Sequence, residues 1–432
     1  MSDITSIKLP AAIDWSTKSK AAEKHIQKLE DVLKQPKNKA LYIGALAEVT
    51  AEIKLSNRSA EASYWLPYFH QEITLQDFFG QWLVYMPTTG SPGKYIEYWD
   101  YLVNTPSGLT LTNTNDFKVW FTEFLNFHGN FINSTSSTGT LADWMKFGGN
   151  SAHPFHIEDY ERPDPNSPTG GFESFNQFFL RNLKPGKRPL CNAASSDDVV
   201  VAPCDGGVFY LSKGSVNGQV EKVPSNGYSL PGKSDRFDLL EALPGYGKNF
   251  LGGQLLDILL WFTDYHHFHA PVAGKVIDQG LYDGSYNYDF GDYKPKDHFA
   301  PNLPSDSDQA GWYDKLGKHQ RYVWIIKTEN LGLVAMIAIG FWGVGSIENA
   351  IGKNATIQKG QYMGHFGYGG SSIVLAFEPG MDIQFKVGND PVSNADKPVL
   401  MKVRQCLGKY TPSTIGKHRE NNKLAEPLHT PS

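Results

Sequence analysis

Hydrophobic positions recur at helical spacing through the first third of the chain and at strand spacing through the rest. In "TKSKAAEKHIQKLEDVLKQ", Ala21, Ile26, Leu29, Val32 and Leu33 fall near one face of a helix that Pro36 soon ends. "NKALYIGALAEVTAEIKLS" repeats the pattern. The aromatic-rich "ASYWLPYFHQEITLQDFFGQWLVYM" and "NDFKVWFTEFLNFHGNFI" follow, and core packing of a helical region is their reading. "NSTSSTGT" (Asn133 to Thr140) reads as a surface loop. "ERPDPNSPTGG" (Glu161 to Gly171), with three prolines and two glycines in eleven residues, reads as a linker.

Beyond it the texture changes to short β-branched runs broken by Gly, Pro and Asn, such as "DDVVVAPCDGGVFYL", "GKVIDQGLYDG" and "SSIVLAFEPG". "LVAMIAIGFWGVG" (Leu333 to Gly345) is too short, and too interrupted by glycine, for a membrane span and reads as buried strand. "APCDGGV" (Ala202 to Val208) and "APVAGKV" (Ala270 to Val276) share Ala-Pro-x-x-Gly-x-Val, each a strand end, a Pro-fixed approach and a Gly turn. The expectation is an α+β protein. Residues 1–165 form a helical, aromatic-rich accessory domain, and residues 166–432 a mostly β, pseudo-symmetric barrel or sandwich.

Composition narrows the function. Of 432 residues 40% are apolar and 13% aromatic, enough for a sizeable core, and 40 basic against 45 acidic residues give a net charge of −5. That balance argues against a nucleic-acid partner and for a small-molecule one. The opening "MSDITSIKLPAAIDWSTKSK" lacks the apolar core of a secretory signal. Cys191, Cys204 and Cys406 are odd in number and widely spaced without CxxC. The expectation is neither a disulfide framework nor structural zinc, and a reducing cytoplasm.

Three constellations carry candidate chemistry. "DYHHFHAP" sets His266, His267 and His269 beside Asp264, and an extended segment sends His267 and His269 to one face and His266 to the other. Asp205, before a Gly turn in the other Ala-Pro unit, is by itself a turn residue, although symmetry could bring it to the histidines. "HFGYGGSSIVLAF" puts Gly369-Gly370-Ser371-Ser372 where a strand begins, without the last glycine of a nucleophile elbow. Glycine leaves its carbonyl unshielded, which suits attack by Ser371 Oγ on the Gly370 carbonyl carbon.

In order along the chain, "FNQFFLRNLKPGKRP", "VVVAPCDGGV", "YHHFHAPVAGKV", "GFWGVGSIE" and "KGQYMGHFGYGGSS" resemble the phosphatidylserine decarboxylases and their soluble relatives, over most of the chain from about Gly171. The N-terminal region resembles the accessory domain of a soluble branch that includes fungal L-tryptophan decarboxylases. The resemblance implies a proenzyme cut between Gly370 and Ser371, whose serine becomes a pyruvoyl group, with no pyridoxal phosphate and no metal. His269 would be the general base of cleavage, Asp205 its orienting carboxylate, and His266 the proton donor in decarboxylation through a Schiff base. Gly369 stands where the family's LGST motif has Leu, and Ser372 where it has Thr. The substrate implied is a free L-amino acid, aromatic by branch. Phosphatidylserine at a membrane surface stays open through peripheral contact, and a homodimer is what relatives imply. A zinc hydrolase using the His266–His269 cluster ranks below, since none of the thirteen histidines has Asp four residues later. So does a carrier domain, for which Lys402 is the one faint candidate.

Overall fold

A computed structural model describes residues 7–55, 75–103, 105–149, 154–212, 242–282, 320–341, 346–392 and 399–411. Ala62–Thr74 of the aromatic-rich stretch and the Trp342–Gly345 part of "GFWGVGSIE" lie outside the described residues. The N-terminal region is helical: α1 (Ser16–Gln27), α2 (Leu29–Lys34), α3 (Pro36–Leu55), α4 (Leu75–Leu83), α5 (Lys94–Val103), α6 (Pro106–Thr112), α7 (Asn115–Ile132) and α8 (Leu141–Trp144), with α9 (Phe175–Phe179) at the entrance to the β region. Lys28 keeps helical dihedrals between α1 and α2, and Pro36 opens α3, where its missing N–H costs nothing. The buried face of α1 carries Ala22, His25 and Ile26, with Ala21 exposed, one residue around from the expected stripe. The reason is His25: its ring Nε2–H donates to the Trp120 carbonyl (2.8 Å) and the Trp120 indole donates back to the His25 carbonyl (3.0 Å).

The aromatics of α4, α5 and α7 do form a core. Phe78, Phe79, Trp82, Trp99, Phe117, Phe121 and Phe124 are all buried, many of them edge to face, as with Phe79 and Trp99 at 5.0 Å. The expected surface loop at Asn133–Thr140 is a buttress instead. Ser134 and Ser137 are fully buried, and Ser137 Oγ accepts from the Phe175 N–H (2.8 Å), which ties the end of α7 to α9.

The β region comprises β1 (Val199–Val201), β2 (Gly206–Ser212), β3 (Leu255–Leu260), β4 (His267–His269), β5 (Gly274–Tyr282), β6 (Arg321–Lys327), β7 (Leu333–Phe341) and β8 (Ile347–Asn349). After these come β9 (Thr356–Ile357), β10 (Tyr362–Phe366), β11 (Gly370–Phe377), β12 (Ile383–Val387), β13 (Asp390–Pro391), β14 (Val399–Met401) and β15 (Cys406–Tyr410). An eight-stranded antiparallel sheet, β14-β2-β3-β11-β7-β6-β5-β9, has β11 at its centre. Two smaller sheets run β4-β10-β8 and β1-β15-β12-β13. Along β11 alternation sends Val374 and Ala376 into the core shared with the helices. Ile373, Leu375 and Phe377 point the other way, into a core with Phe268, Met336 and Phe366. The large sheet is thus the middle layer. Among the described residues no helix is long and apolar enough to cross a membrane.

The repeated Ala-Pro units face each other with reciprocal hydrogen bonds. Val201 N–H donates to Pro271 O (2.9 Å) and its counterpart His269 N–H to Pro203 O (2.7 Å). Ala202 and Ala270 likewise donate to Gln405 O and Gln361 O, each at 2.8 Å. A Cβ at Gly206 would lie 2.6 Å from the Leu259 carbonyl oxygen, and one at Gly274 2.4 Å from that of Lys327, so both turns need glycine. This local two-fold places β4 opposite β1.

The cysteines correct one expectation. Cys191 and Cys406 form a disulfide across 215 residues, with Cα atoms 5.6 Å apart, while Cys204 is free and buried. The bond was invisible in the spacing because Cys191 N–H donates to Arg404 O (3.1 Å), a contact made only by the closed fold. The argument from cysteine number to a reducing compartment loses its premise. If the chain is cut between Gly370 and Ser371, this disulfide joins the two pieces. On a gel without reductant they are expected to migrate as one species, and with reductant, or in Cys191→Ser, as two. Two bands without reductant would show the bond absent.

Candidate active site

Ser371 is the second residue of β11, opposite Leu260 on β3 and Gly340 on β7. It is 0% exposed, and its Oγ has no hydrogen-bond partner among the described residues. A buried hydroxyl left unsatisfied costs about 1–3 kcal/mol, so a fold that keeps one signals use. Gly370 pairs with Phe341 on β7. The unusual backbone lies one residue earlier: Gly369 has φ 151°, which a side chain there would rarely adopt. Gly369 therefore turns the chain into the strand, while Gly370 presents the carbonyl.

Ser372 points to the other sheet face, where its Oγ donates to Asp257 Oδ1. Asp257, fully buried on β3, escaped the sequence reading. Its signal was there to see, a lone carboxylate inside the apolar run "LLDILL".

The histidines arrive from β4. His267 and His269 share a face and stack on Tyr265 (4.5 and 5.9 Å), while the His266 ring lies 3.9 Å from that of Phe179. His266 Nδ1 lies 3.0 Å from Asp264 O, and His269 Nδ1 lies 3.0 Å from Gly360 O. A carbonyl only accepts, so both rings carry the proton on Nδ1 and offer the Nε2 lone pair, for which neither has a partner among the described residues. Burial drives both pKa values down to about 3, helped at His266 by Arg181 and at His269 by Arg404. His267 is turned round, with Nε2 donating to Leu180 O (2.9 Å), and burial also lowers its pKa.

Arg181, within the quoted "FFLRNL" but unassigned by sequence reasoning, anchors this strand. Fully buried between the rings of Tyr160 (4.3 Å), Phe155 and Phe178 (each 4.9 Å), it donates to the carbonyls of Thr263 (2.6 Å) and Asp264 (3.0 Å).

Asp205 does not hydrogen-bond to a histidine among the described residues. Its carboxylate accepts from Val403 N–H (2.8 Å) and Arg188 Nη2 (3.3 Å), and pairs with Lys402 Nζ (3.1 Å). Lys402 also reaches Asp264 Oδ1 (3.4 Å), whose backbone carbonyl holds His266. Lys402 is thus a half-buried ion-pair member that follows β14, outside any hairpin tip. Among the described residues no group of three or more His, Cys, Asp or Glu side chains is placed to hold a metal.

Topology brings His266 beside the turn that leads to Ser371, and His269 beside the strand end that carries Asp205. Phe366 N–H donates to His266 O (2.9 Å), and Phe179, against the His266 ring, also touches Tyr368 (5.5 Å). Phe262 meets Tyr368 as well (6.0 Å). His269 sits at the far end of β4, paired with Tyr362.

A sequence profile described as phosphatidylserine decarboxylase matches residues 175–400. Phosphatidylserine decarboxylase proenzyme 3 of Schizosaccharomyces pombe is 27% identical over 245 residues, which is 56% of this chain but 23% of that protein. Decarboxylase iboD of Amanita muscaria is 27% identical over 308 residues, 66% of this chain and 83% of the relative. The phosphatidylserine decarboxylase proenzyme of Pseudoalteromonas translucida is 30% identical over 246 residues, 51% of this chain and 73% of the relative.

The buried imidazoles set a pH dependence. Burial lowers His128 and His365 to about 4 and His266 and His269 to about 3, whereas unfolded histidine titrates near 6.5. Between those limits the unfolded chain binds more protons than the folded one, so stability falls as pH falls. The thermal unfolding midpoint is expected to drop steadily from about pH 6.5 towards pH 4. A flat profile across that window would count against neutral, buried rings.

Proposed function

The chain belongs to the phosphatidylserine decarboxylase family, and on that premise we propose that it is a self-processing, pyruvoyl-dependent decarboxylase of a free, aromatic L-amino acid. The observation that carries the reading is the buried Ser371 hydroxyl, unpartnered and directly after Gly370, with the neutral His266 imidazole beside the same turn.

Cleavage follows from those groups. Ser371 Oγ adds to the Gly370 carbonyl carbon and gives its proton to an imidazole Nε2. The bond between Gly370 C and Ser371 N breaks, the nitrogen takes the proton back, and an ester remains. Removal of the residue-371 Cα proton expels the Gly370 carboxylate. Water then replaces the resulting enamine nitrogen, releasing ammonia and leaving a ketone at the new terminus. That pyruvoyl ketone supplies the electron sink for the carbanion left by loss of CO2.

The charges around the two rings support the division of labour the resemblance implies: Asp205 favours the protonated form of His269, whose backbone N–H also donates to Pro203 O, while Arg181 acts against protonation of His266. His269 Nε2 serves as base in cleavage, with Asp205 stabilising the imidazolium that forms, and His266 Nε2 moves the proton in decarboxylation. Lys402 and Arg188 hold Asp205 in place.

A free amino acid is favoured over phosphatidylserine by the resemblance of the helical N-terminal region to the accessory domain of a soluble branch of the family. Decarboxylation of tryptophan, tyrosine and phenylalanine is expected to exceed that of phosphatidylserine vesicles. The reverse order would hand the site to the lipid.

Intact-mass measurement after reduction should find one fragment ending at Gly370 and another starting with pyruvoyl at position 371. Ser371→Ala should remain one inactive chain. Of the histidine variants, His269→Ala should stay uncut, while His266→Ala should be cut yet lose decarboxylation by about 10²-fold or more. An uncut His266→Ala beside a cut His269→Ala would reverse the division.

A further inference from the structure

The Cys191–Cys406 bond closes a small ring. Cys191 N–H donates to Arg404 O (3.1 Å), the chain runs on through Gln405 to Cys406, and the disulfide returns to Cys191. On the Cys191 side, Lys359 Nζ donates to Ala194 O (3.3 Å) and to Ser196 O. The other side, Lys402–Gln405, is the segment that grips the site. Lys402 reaches Asp205 (3.1 Å) and Asp264 (3.4 Å), and Val403 N–H donates to Asp205 Oδ1 (2.8 Å). Arg404 donates through Nε (3.0 Å) and Nη2 (2.8 Å) to Gly360 O, the carbonyl that also accepts from His269 Nδ1. Its φ of 70° is a conformation that arginine rarely adopts, so its neighbours must hold it there.

The bond is also within reach of solvent. Both cysteines are half-buried, and they line a cavity of about 670 Å³ together with Arg188, Lys386, Lys402 and Lys409. No acidic side chain belongs to that wall. Arg188 and Lys402 are answered from behind by Asp159, Asp205 and Asp264, whereas Lys386 and Lys409 are exposed. A concave surface lined by one sign of charge draws the opposite sign, and the reagent that opens a disulfide is a thiolate.

We propose that the Cys191–Cys406 bond is an exchange site for an anionic thiol such as glutathione, and that opening it releases Lys402–Gln405 and loosens the hold on Asp205 and His269. The thiolate attacks one cysteine sulfur, the S–S electron pair leaves on the other, and a mixed disulfide forms. A second thiolate attacks that mixed disulfide, freeing the first cysteine and leaving the thiol as its own disulfide. The two cysteines take two protons from the two thiols, so the cystine is reduced and the thiol oxidised. The exchange site rests on the cavity. The control over cutting rests also on the reading of the chain as self-processing.

Glutathione and cysteamine, compared at equal thiolate concentration, differ in the charge they carry beside the sulfur. With alkylation and mass analysis as readout, glutathione is expected to open the bond about tenfold faster at low ionic strength. High salt, or Lys386→Gln with Lys409→Gln, should remove that difference. Equal rates in the unaltered protein would overturn the exchange site. Precursor from cell-free translation should cut itself about tenfold more slowly once the bond is opened, and recover on reoxidation. Cys191→Ser with Cys406→Ser should be slow with or without thiol. Lys402→Met should be slow by itself, and opening the bond in it should add less than about twofold, a non-additivity that general destabilisation does not give. Unchanged cutting by the opened chain would overturn the control. A chain that never cuts itself overturns the functional reading and the control with it, while the thiol comparison still decides the exchange site.

Discussion

Everything at this site depends on the hydrogen bonding of β11 on both sides. A serine at a loop tip would drift away once its peptide bond broke, and so would a serine on an edge strand. Here residues 371–376 are paired to β3 and to β7, so position 371 is fixed by neighbours that a cut between residues 370 and 371 would not touch. The same alternation sorts the two serines. Ser371 shares a face with Ile373 and Leu375, while Ser372 turns to the helical side and is occupied by Asp257. One hydroxyl is left unpartnered because the adjacent one is engaged on the other face.

A second constraint is electrostatic. The histidines and cationic side chains near them share a nearly dry interior, where a protonated imidazole would face Arg181 or Arg404 without its hydration. Burial and like charge therefore act together to keep His266 and His269 neutral, the form that can take a proton. The cations themselves are tolerated because their partners are in place. Arg181 lies among three aromatic faces and two carbonyls, and Lys402 between two carboxylates. Arg188 accepts a positive φ of 53° to put its guanidinium between Asp159 and Asp205. The cost of that backbone, about 1–3 kcal/mol, is repaid only if Asp205 must be held.

Local patterns made much of this legible. Helical periodicity in the first third, the β texture beyond it, and the extended histidine segment all belong to residues within one element of each other. The Ala-Pro repeat went further, because a duplicated motif encodes a symmetry, and the reciprocal Val201–Pro271 and His269–Pro203 bonds realise it. What stayed hidden was each feature that needs two distant segments. The Cys191–Cys406 bond spans 215 residues, and the rotation of α1 that buries Ala22 answers to Trp120 on α7. Which end of β4 meets the Tyr368 turn was equally unreadable, since spacing gives only the faces of the strand.

The helical region's place in the fold follows from the sheet. A central antiparallel sheet has two apolar faces, and in this chain one of them closes on the small sheets that carry the histidines. The other, with Leu255, Ile337, Ile339 and Val374, would meet water without a cover and is sealed by the aromatic core of α4, α5 and α7. Covering that face brings the end of α7 to the β7–β11 junction, since Tyr368 touches both His128 of α7 and Phe179 of α9. The cover thus braces β11 from the face opposite the Ser371 side chain, so the aromatic core holds the strand in register while the histidines approach from the other layer.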